Sequence, residues 1–442
     1  MTNWIPDLSA LTGPAYRCIA EAIAIDVRTR RLRPGDSLPP QRLLADLLGL
    51  NLSTVTRAYR EAERRGLTEG HTRRGTVVRA RAEAADLFGI QSAASAPSVI
   101  DLSVNVPACD PRDRSIEAML AELQREGRIE ELMRYQAPAD WECWREHAVK
   151  WLAHGGLHTP PERLVLCAGG QHALSLALEA CGTGDIAVEA FTYPGMLALA
   201  QERGYRLHAL EMDEDGVTPA AILKAARKGI KTLVLSSALQ NPTGATMPLR
   251  RRQQIADIVQ ARKLALVEED VYGAMLPQPV PPISALAPEH CFHVSALSKT
   301  VAAGLRFGML SVPAAQLPHF ARGIHSTHWY LSPLAVEIAT RLITSGQAAR
   351  RLAWQRREIA ARNRIFDAAL PSYAPHRWLT PSSSAQAAAA TLASHGLIVM
   401  TGAQFGVGAA ARDDRHLRLS LGGASRTELK RAARLMRELG ML

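Results

Sequence analysis

The chain has few of the features that mark secreted, metal-binding or membrane proteins. Its six cysteines are scattered through 442 residues without a CxxC pair or metal-type histidine spacing, which predicts reduced, mostly buried thiols and no bound metal. No apolar run approaches the roughly 20 residues that cross a bilayer, and the first residues lack the basic and apolar regions of a signal peptide. We therefore expect a cytoplasmic protein with no membrane partner.

Positive charge is concentrated at the N-terminal end of a chain with globular composition. Hydrophobic residues make up 47% of the sequence and charged residues 21%, and the length suggests two or three domains. The first 80 residues hold 13 arginines, no lysine and 8 acidic residues, which accounts for half of the net charge of +10. Such a cluster favours a polyanionic partner, although GC-rich codon usage can produce the same bias.

The same 80 residues predict three helices followed by a basic hairpin. The first helix runs from Gly13 to Val27, the second opens at Leu38 with Pro39 and Pro40 in its first turn, and the third follows the N-cap Asn51. The third helix is expected to bury Val55, Ala58, Tyr59 and Ala62 and to expose Leu52, Ser53, Thr56, Arg57 and Arg60.

A hairpin pattern follows Gly66, with its tip at residues 70–75. Arg73 and Arg74 at this tip can reach a minor groove or phosphates, and the hydroxyl and arginine side chains of the third helix suit a major groove. The alternative interpretation is a small helical cap with a solvated charged face.

This arrangement resembles the GntR-type winged helix-turn-helix, an α+β fold, over residues 10–79. The motifs are Arg33-Pro34-Gly35-Asp36, Arg42-x-Leu44-Ala45 and Arg57-Ala58-Tyr59. The resemblance implies a double-stranded DNA operator as partner, with contacts from Arg42, Leu52, Ser53, Thr54, Thr56, Arg57, Arg73, Arg74 and Gly75. Because Leu52 stands where many relatives carry arginine, an apolar contact with a thymine methyl is expected there.

Residues 80–98 are rich in Ala and Ser, include Pro97 and predict a flexible linker. Beyond it, residues 99–442 alternate apolar strand candidates with helical segments, which is typical of an α/β fold with a mainly parallel sheet. The strand candidates are 164–166, 186–188, 232–235, 264–267 and 293–294, and residues 385–390 predict a helix. In such folds ligands bind at the carboxyl ends of the strands.

The strand ends carry residues that could bind a phosphorylated aromatic ligand. Gly169, Gly170 and Gln171 expose backbone amides at a helix N-terminus, which is a ready phosphate site. The other strand ends offer a ring, an amide, two carboxylates and a phenol in Tyr193, Asn241, Glu269, Asp270 and Tyr272. Taken singly, these residues are equally compatible with ordinary turns and a packed core tyrosine.

Lys299 ends the last apolar strand, next to Ser298 and seven positions before Arg306. A lysine that holds an aldehyde as a Schiff base needs such a place, because strand-end backbone fixes the amine while hydroxyls and a guanidinium neutralise a phosphate. We interpret Lys299 as a pyridoxal phosphate anchor. Without its context it would be read as a solvated surface lysine.

Residues 100–440 resemble fold-type I pyridoxal 5'-phosphate enzymes of the aminotransferase class, which have a smaller C-terminal subdomain, here about 335–442. The resemblance rests on Asn241-Pro242-Thr243-Gly244 followed by Ser298-Lys299 and Gly304-Leu305-Arg306. It implies that Lys299 forms the internal aldimine and that Arg306 and the 169–171 loop bind the phosphate.

By the same resemblance, Tyr193 stacks on the cofactor ring, while Asn241 and Tyr272 meet the ring oxygen. Either Glu269 or Asp270 faces the pyridine nitrogen. Arg418 takes a substrate or effector carboxylate, and Tyr135 reaches the neighbouring subunit's phosphate in a homodimer. Ala296 replaces a family hydroxyl, so Ser295 or Ser298 must substitute for it.

A GntR-type head fused to an aminotransferase-like domain resembles the MocR subfamily of bacterial transcription regulators. The resemblance implies a regulator that senses an amine, an amino acid or the cofactor itself through aldimine chemistry at Lys299. The alternative is an active aminotransferase that carries a DNA-binding head. A turnover enzyme has no use for an arginine-bearing DNA surface, so we favour the regulator and expect sensing rather than catalysis.

Overall fold

The computed structural model describes residues 4–8, 13–28, 31–71, 75–79, 99–182, 184–320, 331–368 and 372–442. The predicted linker at 80–98 and the wing residues Arg73 and Arg74 lie outside these ranges. The described residues form a small helical head and a larger α/β region.

The head consists of three helices and a hairpin around their own apolar core. Its elements are α1 (Ala15–Arg28), α2 (Gln41–Leu48), α3 (Leu52–Arg64), β1 (Thr68–His71) and β2 (Gly75–Val78). The two strands are antiparallel. The predicted inner face of α3 is confirmed, since Val55, Ala58, Tyr59 and Ala62 are all buried. They pack against α1 residues such as Ile19 and Ile23.

The start of α2 differs from the prediction. The helix begins at Gln41, and Pro40 before it has an extended ψ of 138°, so neither proline lies in the first turn. The reason is pairing with the hairpin: the Leu38 N–H donates to the Thr76 carbonyl, and Ser37 bridges to Val77. The segment at Ser37 and Leu38 is therefore extended along the hairpin, and α2 begins after it.

The larger region alternates strands and helices along most of its length. Its strands are β3 (Ile100–Asp101), β4 (Leu164–Cys167), β5 (Asp185–Glu189), β6 (Arg206–Leu210), β7 (Met212–Asp213), β8 (Gly216–Val217), β9 (Thr232–Leu235), β10 (Ala265–Glu269), β11 (Cys291–Ala296), β12 (Gly308–Ser311), β13 (His376–Leu379), β14 (Leu397–Ile398), β15 (Met400–Thr401) and β16 (Leu417–Ser420). Its helices are α4 (Ser115–Arg125), α5 (Arg128–Leu132), α6 (Pro138–Leu152), α7 (Gly170–Cys181), α8 (Pro194–Arg203), α9 (Pro219–Arg227), α10 (Leu249–Arg262), α11 (Ile283–Leu286), α12 (Pro333–Thr344), α13 (Gln347–Phe366), α14 (Ala385–Ser394) and α15 (Arg426–Glu438).

A seven-stranded sheet in the order β4-β12-β11-β10-β9-β5-β6 forms the centre of this region. Only β12 runs antiparallel to its neighbours, so the expected mainly parallel sheet is confirmed. Every residue of β4, β9 and β11 is buried, as in strands covered by helices on both faces. Apolar runs made β4 and β9 visible in the sequence, whereas the equally buried β12 was not among the predicted strands.

Two smaller sheets use strands from the C-terminal part of the chain. Strands β13, β16 and β15 are antiparallel, and β14 pairs with β3 in parallel. Their core includes Ile100 and Leu102 from the start of the region, packed with Leu417 and Leu419. The helix predicted for residues 385–390 is confirmed as α14.

Within the described ranges, no helix is long and apolar enough to cross a bilayer, and no cluster of three or more His, Cys, Asp or Glu residues could hold a metal ion. The expectation of mostly buried thiols is only half right. Three cysteines are buried, one is half-buried and two are exposed, in the order Cys18, Cys167, Cys291, Cys181, Cys109 and Cys143.

A buried carboxylate ties β10 to the first residues of α11. Glu268 accepts hydrogen bonds from Ser237 Oγ at 2.5 Å and from the backbone N–H groups of Ile283 and Ser284 at 3.0 and 2.8 Å. Burial alone would raise its pKa, but the interaction with His293 and the bond from Ser237 hold the pKa of Glu268 at about 2. The ionised form is thus the one that the fold stabilises.

Replacing this carboxylate should destabilise the fold. In Glu268→Gln an amide NH₂ takes the place of one acceptor, so the free energy of unfolding measured by urea denaturation should fall by about 2 kcal/mol at neutral pH. Because the folded-state pKa is depressed, the difference from wild type should shrink as the pH falls from about 4.5 towards 2.

Glu438→Gln is the matched control, since Glu438 is exposed on α15 and pairs with exposed Arg434. Its denaturation midpoint should stay at the wild-type value. Equal losses in the two variants would show that Glu268 has no special structural role.

Candidate functional site

A cavity of about 230 Å³ opens at the carboxyl ends of β10 and β11. It gathers ten of the residues singled out in the sequence: Gly170, Gln171, Tyr193, Asn241, Glu269, Tyr272, Ser298, Lys299, Arg306 and Arg418. The strand ends of one sheet therefore supply most of its walls, as the α/β pattern predicts. Arg418 is the exception, because it comes from the C-terminal sheet.

Lys299 lies in a short 3₁₀ turn directly after β11. Its Nζ donates a hydrogen bond of 2.6 Å to the backbone carbonyl of Asn105. Burial and the charges of Arg418 and Arg306 lower the pKa of Lys299, the charge of Glu269 raises it, and the net pKa is about 8. The amine is therefore partly neutral, and so nucleophilic, near physiological pH.

The two candidate carboxylates face opposite sides of β10. Glu269 lines the cavity, where burial raises its pKa to about 7 against the influence of Lys299. Asp270 points away from the cavity, accepts a hydrogen bond from the Gly273 N–H at 2.6 Å and lies 3.9 Å from His293. Asp270 is therefore not a cavity residue.

Arg418 is buried on β16 and lines the cavity. One of its nitrogens donates to the carbonyl of Ser103 and to Met400 Sδ, and its guanidinium lies 5.2 Å from the ring centre of Phe405. Burial lowers the pKa of Arg418 to about 10, so it stays cationic at neutral pH. Its Nε is buried without a hydrogen-bond partner among the described residues.

Arg306 lies at the mouth of the cavity and contacts the glycine turn before α7. Its Nη2 donates to the Ala168 carbonyl at 3.2 Å. Gly169 has a positive φ of 89°, and a Cβ there would meet the Arg306 guanidinium at 2.5 Å. A glycine is thus needed where the cation and the first N–H groups of α7 come together.

Several polar atoms on the cavity wall are buried without a partner in the described structure. They are Gln171 Oε1, Asn241 Oδ1, Ser298 Oγ and Asn105 Oδ1. Ser298, but not Ser295, lines the cavity beside Ala296. Leaving such atoms unpaired is costly, so the wall has unused capacity for a polar ligand.

Two phenols and an unforeseen amide complete the wall. Burial raises the pKa of Tyr193 to about 12 and raises that of Tyr272 as well. Asn105, which the sequence reading missed, donates its side-chain amide to Tyr272 Oη at 3.1 Å. It follows β3 in a stretch without periodicity or a recognisable motif, so no sequence signal distinguished it.

Tyr135 lies apart from this cavity. It follows α5 and is 80% exposed. Its role toward a second subunit stays a prediction.

In the head, the predicted DNA contacts form one surface of α2 and α3. Arg42, Leu52, Ser53 and Arg57 are exposed, whereas Thr54 and Thr56 are half-buried. The Arg57 guanidinium lies 3.8 Å from the centre of the Tyr16 ring, a cation–π contact that holds it in place. The remaining predicted contact that lies in a described range, Gly75, is exposed at the start of β2 with a φ of 73°.

Both parts of the chain match known protein families. Residues 97–435 match the aminotransferase class I and II family. The chain belongs to this family. Residues 15–78 match the gntR family of bacterial regulatory proteins, and the two together make this a MocR-type chain with a DNA-binding head.

Individual relatives agree with this membership. The HTH-type transcriptional regulator YdeF of Bacillus subtilis is 28% identical over 377 residues, 84% of this chain and 80% of its own. The vitamin B6 salvage pathway transcriptional repressor PtsJ of Salmonella typhimurium is 26% identical over 441 residues, 96% and 98% of the two chains. The crystal structure of an archaeal alanine:glyoxylate aminotransferase shares the fold, with a TM-score of 0.71 at 20% identity over 80% of this chain and 95% of that one.

The family's cofactor is pyridoxal phosphate, and the cavity of this MocR-type chain fits it. The cation of Arg306, the N-terminus of α7 and the free Ser298 hydroxyl could take a phosphate, and Glu269 could take a pyridine nitrogen. The partly neutral amine of Lys299 suits an aldehyde.

The pH dependence of cofactor capture should report the charges around Lys299. Since only the neutral amine attacks an aldehyde, the rate at which the apo-protein captures pyridoxal phosphate should rise through a midpoint near pH 8. In Arg418→Gln a nearby positive charge is lost, so the midpoint should rise by about one pH unit. In Glu269→Gln a nearby negative charge is lost, so it should fall.

Stopped-flow absorbance over a pH series measures both midpoints, and Lys299→Ala gives the baseline without capture. Shifts of the two variants in the same direction would contradict this account of the site.

Proposed function

We propose that this protein is a pyridoxal phosphate-dependent transcription regulator whose aminotransferase-like region senses an amine, an amino acid or the cofactor itself. In this proposal residues 10–79 bind operator DNA and residues 99–442 hold the cofactor, with a C-terminal subdomain from about residue 335. Residues 80–98 are the linker between the two domains. One observation carries the proposal: the same chain has exposed arginines on α3 and a cavity lined by both Lys299 and Arg418.

The residues divide into four sets around the cofactor. The phosphate is held by Arg306, Ser298 and the backbone of Gly169, Gly170 and Gln171. Tyr193 stacks on the ring, Asn241 and Tyr272 meet the ring oxygen, and Glu269 faces the ring nitrogen. Bound in this way, the cofactor supplies an aldehyde that exchanges one amine partner for another and a ring that accepts electrons.

The protein's own groups control this exchange. Lys299 supplies the amine that a ligand amine must displace, and Glu269 and Arg418 set how easily that amine loses its proton. Arg418 is a buried cation facing the cavity, so it would take the carboxylate of an amino acid. A ligand that contacts both Lys299 and Arg418 links the main sheet to the C-terminal sheet. A ligand that lacks one of these contacts does not link the two sheets.

We further infer a homodimer. Tyr135 and Met133 are 80% and 58% exposed after α5, and Leu120 on α4 is 37% exposed. Large apolar side chains at the surface favour a protein contact, and a second copy is the partner that the role expected of Tyr135 requires.

Aminotransferase catalysis is the second candidate. The lowered pKa of Lys299 and the complete set of ring contacts are compatible with turnover. Sustained transfer of amino groups to a keto acid over many cycles would favour it. A single exchange per cofactor would favour the sensor.

DNA binding should depend on the exposed arginines of the head. Arg57→Ala should weaken the affinity for operator DNA about tenfold or more, and wild-type affinity should fall steeply as salt rises. Arg434→Ala removes the same charge from an exposed position on α15, and this variant should bind DNA as wild type does. Fluorescence anisotropy at several salt concentrations measures this, and salt-insensitive binding that Arg57→Ala leaves unchanged would exclude a DNA-reading head.

Effector response should require the cavity. An amino acid should change the operator affinity of the holo-protein, whereas the amine lacking its carboxylate should act more weakly because Arg418 has nothing to bind. Lys299→Ala and Arg418→Ala should lose the response. If the cofactor alone changes operator affinity, it is the signal; an undiminished amino-acid response in Lys299→Ala would place sensing elsewhere.

A further inference from the structure

A line of hydrogen bonds runs from the backbone to the cavity through two side chains to which the proposed function gives no part. His376 Nε2 lies 2.9 Å from the Gln240 carbonyl oxygen, and His376 Nδ1 lies 2.9 Å from Asn105 Nδ2. Asn105 Nδ2 is also 3.1 Å from Tyr272 Oη. All three side chains are at most 6% exposed, so water does not compete for these bonds.

The Gln240 carbonyl determines where the histidine proton lies. A carbonyl oxygen only accepts, so His376 Nε2 must carry a hydrogen. Burial lowers the pKa of His376 to about 3, helped by the charges of Arg418 and Lys299, so the ring is neutral. With its single proton on Nε2, Nδ1 is a bare acceptor.

This acceptor fixes the orientation of Asn105. The amide must turn its NH₂ toward His376 Nδ1, because the reverse orientation would set two acceptors against each other. The second hydrogen of the same NH₂ is then directed to Tyr272 Oη. Tyr272 Oη thus accepts from Asn105, and its own hydrogen is left to point into the cavity.

We propose that Asn105 is a positioning residue that, through the tautomer of His376, fixes Tyr272 as a hydrogen-bond donor to the ring oxygen of the bound cofactor. This inference rests on the proposed function for the identity of the acceptor. Its geometry, from Gln240 to Tyr272, is independent of any ligand.

A fixed donor stabilises the deprotonated ring oxygen and so lowers the pH at which the absorption of the bound cofactor changes. The other groups that face Tyr272 are Arg418, Glu269 and Tyr193, and those that face His376 are Arg418 and Lys299. All of them remain when only the Asn105 side chain is removed. Asn105→Ala also keeps the backbone carbonyl that accepts from Lys299.

A double-mutant cycle on the reconstituted protein tests the proposal. Asn105→Ala should raise the midpoint of the pH-dependent visible absorption by about one pH unit. In a Tyr272→Phe background the same substitution should move the midpoint no further, because the donor is already gone. Equal shifts in the two backgrounds would show that Asn105 acts structurally and would overturn the proposal.

Nuclear magnetic resonance of the apo-protein labelled with ¹⁵N-histidine gives a readout without cofactor. The signal that disappears in His376→Gln should be that of a neutral imidazole protonated at Nε2 from about pH 5 to 8. A signal from the Nδ1-protonated or the charged form would overturn the proposal. If the wild-type protein gains no visible absorption with pyridoxal phosphate, the proposed function is refuted. The resonance measurement would still show which nitrogen of His376 carries the proton.

Discussion

The pairing of the buried Lys299 amine is the interaction on which the site depends. A buried ammonium is costly unless it has partners, and here the Asn105 carbonyl at 2.6 Å and the charge of Glu269 provide them. Burial and the charge of Arg418 favour the neutral amine and so lower its pKa, which is about 8. A substantial fraction of the amine is therefore in the neutral form that reacts. Each of these groups comes from a different segment, and only the assembled fold brings them to one point.

The sheet explains how they meet. Glu269 ends β10 and Lys299 follows the adjacent parallel strand β11, so both residues lie at the same edge of the sheet. Asn105 follows β3, which pairs with β14, and Arg418 lies on β16 next to β15. The cavity wall thus combines the main sheet with the two smaller sheets, and a ligand that contacts more than one of them can favour one arrangement of them over another. A sensor needs a ligand that binds the two arrangements with different affinity, because that difference is what can change DNA binding by the head. An enzyme can function without any such effect on the head.

Much of the fold and of the cavity could be predicted from the sequence, and the features that could not be predicted have physical causes. Apolar strands such as β9 and β10, the inner face of α3 and the lysine at the end of β11 all leave local patterns. The buried strand β12 was not predicted, because only two of its four residues, Met309 and Leu310, are large and apolar. The edge strand β6 has no buried residue before Leu210 and so lacks an apolar run. Glu269 and Asp270 could not be separated, because neighbours on a strand face opposite sides and the sequence does not say which side is the cavity. Asn105 and His376 matter only through contacts between residues 271 positions apart.

Thermodynamic linkage offers the most direct test that the cavity and the head are coupled. If an amino acid changes the affinity of the holo-protein for operator DNA, saturating DNA must change the affinity for that amino acid by the same factor. Isothermal titration of the amino acid with and without operator DNA measures this factor. We expect two different affinities for the amino acid, whose ratio equals the shift in DNA affinity. Identical affinities, with DNA and ligand both bound, would show that the cavity and the head are not coupled.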